Sequence, residues 1–278
     1  MTHSTGRIDA LTEPGEAGNP AARAQSLSRL YHENSKLTPR RALGFIEQMD
    51  AFSTEPMGRT PSPFKHYPTR KAVDLPKASK WRGGARLFAT LRARRSHRGA
   101  FARHPIRLEQ LSTLLELAFG MTGTHPDSAG DPATLRTWPS AGALYPLELY
   151  VATLNCRSLG RHLHHYDVPR HRLAQVGPCP PPDELARLIF TEGSLEGAGA
   201  LVILTRRFER GEARYGERAY RFALSETGHV AQNILLLAEA LDLGAVPLGG
   251  FCEDELGDHL GLDARCESPL YVVMLGRR

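Results

Sequence analysis

Several short clusters in this 278-residue chain carry residue types and spacings that could do chemistry. Arg94, Arg95, Ser96 and Arg98 put three guanidiniums and a hydroxyl within five residues. Such a group can grip a phosphate through bidentate, charge-assisted hydrogen bonds, or can simply be the solvated basic end of a helix. The segment Trp138 to Glu148 sets Ser140, Ala141, Gly142 and Ala143 between Pro139 and Pro146, ahead of an apolar run. Small side chains and a glycine let backbone amides approach a flat ligand closely, although Pro-Ser-Ala-Gly before a strand is also a plain turn. Arg214–Tyr215 places a phenol beside a cation. A phenol acts as general base only when its pKa, near 10 when unperturbed, is brought down, and a neighbouring cation favours the phenolate. The same pair also reads as an exposed helix start.

Two weaker features accompany these. Leu248, Gly249 and Gly250 follow an apolar segment and again allow backbone amides near a ligand, or form a helix-to-strand turn. Arg277 is a cation next to the last residue. His162, His164 and His165 alternate along an expected strand with no cysteine or carboxylate pair to complete a shell, so no metal site is assigned. Glu226, His229, Gln232 and Asn233 read as satisfied buried polar groups or as part of a subunit contact, with direct contact to a bound cofactor the competing reading. No Gly-x-Gly-x-x-Gly follows a strand and no Gly-x-Ser-x-Gly occurs, which argues against a dinucleotide-binding unit and a serine hydrolase.

The elements that must position these residues follow from hydrophobic periodicity. Helices are predicted at Ala22 to Asn34, Ala85 to Arg94 with Leu87, Phe88 and Leu91 on one face, and Leu108 to Phe119. Glu212 to Leu241 reads as one long helix or a broken pair, apolar on nearly every side in its later part, with Gly228 marking a close approach. Strands are predicted at Leu147 to Leu154, Arg161 to Asp167, Gly199 to Thr205 and Ser268 to Gly276, and a polar loop at Thr122 to Thr137. Residues 1–21 lack periodicity and read as disordered, and Pro56 to Pro76 reads as an extended, packed-down connector. Strands separated by helices, with sheet neighbours far apart in sequence, indicate an α/β or α+β sandwich.

Composition narrows the class. A hydrophobic fraction of 41% and a charged fraction of 23% describe an ordinary soluble protein. The formal net charge of +5 comes from scattered arginines without a long basic run, so nucleic acid is not the expected partner. Cys156, Cys179, Cys252 and Cys266 form no Cys-x-x-Cys pair and read as reduced thiols. No apolar run approaches the ~18 residues of a membrane span. The expectation is a cytoplasmic protein with no membrane contact.

Taken in order along the chain, these motifs resemble the nitroreductase superfamily, and more narrowly its SagB-type branch, whose members oxidise thiazoline and oxazoline rings in modified peptides. The resemblance covers residues 26–278. It rests on Arg-Arg-Ser-x-Arg at 94–98, on Pro139-Ser140-Ala141-Gly142-Ala143-Leu144-Tyr145-Pro146, and on the N-terminal phrase Leu30-Tyr31-His32-Glu33-Asn34. It implies an α+β nitroreductase-like fold, a sheet flanked by helices, with FMN at a homodimer interface. Residues 1–74 would be a SagB-type extension and 75–278 the FMN-binding domain. Cofactor-binding roles carry over to Arg94, Arg95, Ser96, Arg98, Pro139, Ser140, Ala141, Gly142, Ala143, Leu144, Leu248, Gly249, Gly250 and Arg277, and catalytic roles to Tyr215 and Arg214. Arg94 or Arg98 would also reach the isoalloxazine edge. The implied reaction passes hydride to the flavin and a proton to Tyr215, with molecular oxygen restoring the cofactor. The implied partners are a second copy, a modified peptide, and the cyclodehydratase complex that makes its azolines. One position departs from the family: its members carry lysine where Arg214 stands, and arginine cannot deprotonate to act as a base. An FMN oxidoreductase of another class, or a flavin-free peptide-docking scaffold, are the competing readings.

Overall fold

The computed structural model describes residues 30–31, 47, 62, 64–77, 87–126, 132–191 and 195–278. The chain divides into two compact units, Met1–Ser53 and Thr54–Arg278, and the sheet with the helices around it belongs to the second. The expected disordered residues 1–21 lie outside the described residues. Of the expected helix at 22–34 and the phrase that follows it, only Leu30 and Tyr31 are described, and both are helical.

A seven-stranded sheet organises the second unit. Its strands are β1 (Ala72–Asp74), β4 (Leu147–Thr153), β5 (His162–Asp167), β6 (Arg172–Pro178), β7 (Ala198–Arg207), β8 (Leu243–Leu248) and β9 (Glu267–Arg277), in spatial order β1-β6-β5-β4-β7-β9-β8. Each neighbouring pair is antiparallel. The helices among the described residues are α1 (Leu87–Ala93), α2 (Leu108–Phe119), α3 (Pro182–Leu188), α4 (Glu209–Tyr215), α5 (Arg218–Ala240) and α6 (Glu253–Leu260). The result is the expected α+β arrangement.

The central strands read as unbroken apolar runs because both faces of the sheet are covered. Side chains alternate across a strand, so Leu147, Leu149 and Val151 of β4 join Val202 and Leu204 of β7 in one core, with α2 and α5. Tyr150 and Ala152 face the other way, with Leu201 and Ile203, into a second core closed by Leu185 and Leu188 of α3 and Leu256 and Leu260 of α6. Helix α2 has the bounds its periodicity predicts.

Two expectations change and one alternative is settled. The predicted polar loop at 122–137 is instead a two-stranded hairpin, β2 (Met121–Pro126) paired antiparallel with β3 (Pro132–Arg136) and separate from the main sheet. Its residues 121–124 are exposed, so no buried apolar face marks it in the sequence. The segment from Glu212 to Leu241 resolves into the broken pair: α4 ends at Gly216, whose φ of 51° suits glycine, and α5 starts two residues on. Gly228 lies exposed inside the unbroken α5, and a Cβ there would meet nothing within 4 Å among the described residues, so the expected close approach is not made within the chain.

Candidate functional site

The loop between β3 and β4 is a tight and strained turn. Ala141–Ala143 forms a single 3₁₀ turn, and Gly142, Ala143 and Tyr145 all take positive φ (61°, 54° and 45°). Left-handed backbone at two non-glycine residues persists only where the surroundings over-determine it. Here they do. The Tyr145 amide donates to Ser140 Oγ at 2.9 Å, the Arg136 amide donates to Tyr145 Oη at 3.1 Å, and Arg210 Nη1 donates to the Tyr145 carbonyl at 3.1 Å. Pro139 and Gly142 are exposed, Ser140, Ala141 and Ala143 are half-buried, and Leu144 is buried.

This loop meets the Arg214–Tyr215 pair. A Cβ added to Gly142 would stand 2.5 Å from Tyr215 Oη and 2.8 Å from Arg214 Nη1. Far from opening a helix on the surface, the pair sits in the last turn of α4, with Tyr215 buried and Arg214 half-buried. The Arg214 guanidinium lies 5.4 Å from the Tyr215 ring centroid, and Phe222 packs edge-on against that ring at 5.1 Å. Burial raises the Tyr215 pKa above the ordinary phenol value; Arg214 opposes this and Glu226 adds to it. The cation therefore acts in the expected direction, but in the chain alone burial outweighs it, contrary to the expectation of a lowered phenol.

Glu226 of α5 is the satisfied buried polar group expected on this helix, and it supports the loop from beneath. Its Oε1 accepts from Ser140 Oγ at 2.8 Å and from the Ala141 amide at 3.3 Å, and its Oε2 accepts from Trp138 Nε1 at 3.3 Å. Burial pushes the carboxyl up to about 7 against these hydrogen bonds and the attraction of Arg136. Arg136, by contrast, is missed by sequence reasoning. Its guanidinium carbon lies 4.7 Å from the ring of Tyr145, 5.1 Å from Phe64, 5.2 Å from Trp138 and 5.6 Å from Phe119. Burial lowers its pKa to about 10.

The arginine cluster is anchored elsewhere, on the edge of the sheet. It follows α1, and the His97 amide donates to the Ala245 carbonyl of β8 at 2.8 Å, while the Ala102 amide donates to the carbonyl of Arg277 at 2.9 Å. The His97 and Phe101 rings stack at 4.4 Å, in space left by Gly244 and Gly276. The segment after the cluster thus bridges to Arg277 through Ala102, and Arg277 pairs with Leu243 in the β8–β9 ladder. Arg95 is committed to its own helix end, donating to the carbonyls of Arg92 and Arg94. Ser96 and Arg98 are exposed and Arg94 is half-buried. Leu248 closes β8 as a strand residue, and Gly249 and Gly250 follow it, exposed, with Phe190 against Gly250.

Of the three histidines, His165 Nε2 meets Glu148 Oε2 at 2.7 Å, and burial lowers His164 to about 4. No group of three metal-binding side chains is present among the described residues. An open cavity of about 540 Å³, lined by Arg103, Asn155, Arg161 and Glu196 among others, involves none of the residues above. No helix among the described residues is long and apolar enough to cross a membrane.

Comparison with known proteins agrees with the fold. The nitroreductase family matches residues 91–277. A Methanocaldococcus jannaschii protein named as a nitroreductase is 33% identical over 193 residues, 69% of this chain and 91% of its own length. The microcin B17-processing protein McbC of Escherichia coli is 32% identical over 158 residues, 54% of this chain and 57% of McbC. A crystal structure of a nitroreductase from Anabaena variabilis superposes with a TM-score of 0.69 at 29% identity, over 90% of this chain and 46% of that one. The chain therefore spans about half the length of McbC and of the Anabaena protein. On the extent of the family match and the shared fold, this chain belongs to the nitroreductase family.

Proposed function

We propose that this chain is a SagB-type, FMN-dependent dehydrogenase that oxidises thiazoline or oxazoline rings to azoles in a ribosomally made peptide. One observation carries the reading: Gly142 of the small-residue loop lies against both the hydroxyl of Tyr215 and the guanidinium of Arg214. A loop suited to a flat cofactor and a candidate acid–base pair thereby meet at one place. The similarity to a microcin-processing protein supports a peptide substrate.

The residues present fit FMN. Gly142 brings the backbone of the small-residue turn directly against the phenol, closer than any residue with a Cβ could come. Arg94, Arg98 and Arg277 have no ion-pair partner among the described residues, so their charge is available to a phosphate. With Ser96 they would hold the phosphate and ribityl chain, and Arg95 would add charge from the helix end. Pro139, Ser140, Ala141, Gly142, Ala143, Leu144, Leu248, Gly249 and Gly250 would face the ring system. When bound, FMN supplies the hydride acceptor. Aromatising an azoline removes one hydride and one proton, and Tyr215 takes the proton on Oη. Arg214 stabilises the phenolate against the burial that opposes it. Residues 75–278 would make up the cofactor-binding domain and residues 1–74 the extension, whose end lends the edge strand β1 to the sheet.

A second copy of the chain is the expected partner. Leu87, Phe88 and Leu91 of α1 are 61%, 77% and 48% exposed, an apolar helix face that a homodimer would cover. The modified peptide and its cyclodehydratase complete the proposed assembly. Arg214, where the family carries lysine, favours one second reading: an FMN oxidoreductase of another class, such as an NAD(P)H-dependent quinone or nitro reductase, or a desaturase of another peptide or small metabolite.

The visible absorption spectrum of the purified protein, with the released cofactor identified after denaturation, tests the proposal. FMN in near-equal amount to protein, followed by loss of two hydrogens from an azoline peptide, is the expected result. A colourless protein that takes up no FMN overturns it in favour of a scaffold. Flavin bleached rapidly by NAD(P)H, with azoline peptide untouched, selects the second reading.

A further inference from the structure

We propose that Glu226 is the positioning residue of the flavin-facing loop, fixing the Ser140 hydroxyl so that the strained turn stays closed against Arg214 and Tyr215. The proposal rests on the FMN reading and deepens it. Glu226 lies in α5, 86 residues from Ser140, and is 4% exposed. Its carboxylate accepts from Ser140 Oγ, the Ala141 amide and Trp138 Nε1. With its proton directed at the carboxylate, the Ser140 hydroxyl keeps lone pairs free and accepts the Tyr145 amide at 2.9 Å. One hydroxyl thus ties the start of the turn to its end. Between those ends lie Gly142 and Ala143 in left-handed backbone, and it is Gly142 that touches the Arg214–Tyr215 pair.

A carboxamide cannot reproduce this arrangement. Of the three donors that converge on Glu226, at least one would face the amide's own N–H group. Protonating the carboxyl removes an acceptor in the same way. Arg136 of β3 and Tyr215 of α4 are the charged and titratable groups coupled to it, and the carboxyl titrates at about 7 because it is buried.

The test is Glu226→Ala, which leaves all three donors without their acceptor, in the full chain, read first without cofactor. Native-state hydrogen exchange at the Ala141 and Tyr145 amides is expected to speed up about tenfold or more, with Val151 and Val202 in β4 and β7 unchanged. FMN is expected to bind the variant about tenfold more weakly than the native chain. Exchange that stays native at Ala141 and Tyr145, or that rises equally at Val151 and Val202, overturns the assignment. Should the variant not fold, the native residue can be read directly in a Trp81→Phe background, where Trp138 is the sole indole. Its emission is expected to titrate near pH 7, and a flat profile overturns the proposal. If the native chain binds no FMN while exchange responds as expected, the cofactor reading fails and the hold of Glu226 on the loop stands.

Discussion

Gly142 lies so close to Tyr215 that a Cβ on the glycine would stand 2.5 Å from the phenol oxygen. The contact joins two segments far apart in the chain and makes residue 142 sensitive in two ways. Its φ of 61° is a left-handed conformation that costs alanine about 1–2 kcal/mol. The added methyl also displaces Tyr215 and Arg214 from the loop. Gly142→Ala should therefore lower Tm by roughly 2–8 °C and reduce dehydrogenation by more than the stability loss explains. Differential scanning calorimetry beside kcat separates the two effects. Native kcat in Gly142→Ala would show that the contact has no part in the chemistry.

On the proposed mechanism, Tyr215 and Arg214 would divide the acid–base work unequally. Tyr215→Phe should bind FMN normally and lose about 100-fold or more in kcat, the usual worth of a positioned base. Burial holds the phenol above its ordinary pKa and Arg214 pulls it down, so the native rate should climb with pH through the alkaline range. Removing the guanidinium with Arg214→Ala should move that climb to still higher pH. Arg214→Lys keeps a cation beside the phenol and adds a group that can itself deprotonate, and should retain or raise activity. A pH–rate profile for each variant checks all three, and a profile unmoved by Arg214→Ala would separate the arginine from the phenol.

How much of this is legible in the sequence depends on whether a residue's partner is near along the chain. Helix α2 shows its bounds because its apolar stripe repeats with helical period, and β4 and β7 show theirs because burial on both faces leaves them almost wholly apolar. Strand β8 reads as a loop because Pro247 and the paired glycines after it look like turn punctuation. It lies at the edge of the sheet, where proline is tolerated. Helix α6 carries three acidic residues in its first turn and Gly261 at its end, signals that could have found it. The loop residues and the Arg214–Tyr215 pair stand out by type, yet their contact does not, since nothing local links the approach to β4 with the end of α4. Glu226 reads correctly as a satisfied buried polar group, but its partners do not, since it meets Ser140 across 86 residues; Arg136 escapes notice altogether, caged by rings from four separate positions.

Glu226 should leave a signature in the pH dependence of stability. Its carboxyl is raised from 4.5 to about 7 by burial, so the native state binds its proton more tightly than the unfolded chain does. The associated stability is fully present below pH 4.5 and is lost as pH rises through about 7. The loss is of the order of 3 kcal/mol, because a tenfold difference in proton affinity is worth about 1.4 kcal/mol. Glu226→Gln carries no such proton, so its urea midpoint should vary less between about pH 5 and pH 8 than that of the native chain. Parallel curves for the two proteins would place the Glu226 carboxyl in a more hydrated setting than its burial indicates.

The buried Glu148–Arg210 pair has the opposite sign. Burial alone would raise Glu148, but Arg210 Nη2 at 2.6 Å and His165 Nε2 at 2.7 Å outweigh it, and the carboxyl is held down at about 2. Its stabilising contribution is present above the unfolded value of 4.5 and disappears as pH falls through about 2, so acid unfolding should begin below pH 4.5. Arg210 also donates to the Tyr145 carbonyl, which couples this pair to the strained loop. Arg210→Met would leave a carboxylate 3% exposed without its cation and should cost about 3–5 kcal/mol. Pairing it with Glu148→Gln removes the stranded charge, so the double variant should be more stable than Arg210→Met alone. Urea unfolding of the four members of this cycle measures the coupling. If the two losses simply add, the ion pair is not what holds the end of the loop, and Tyr145 must be fixed by its other bonds.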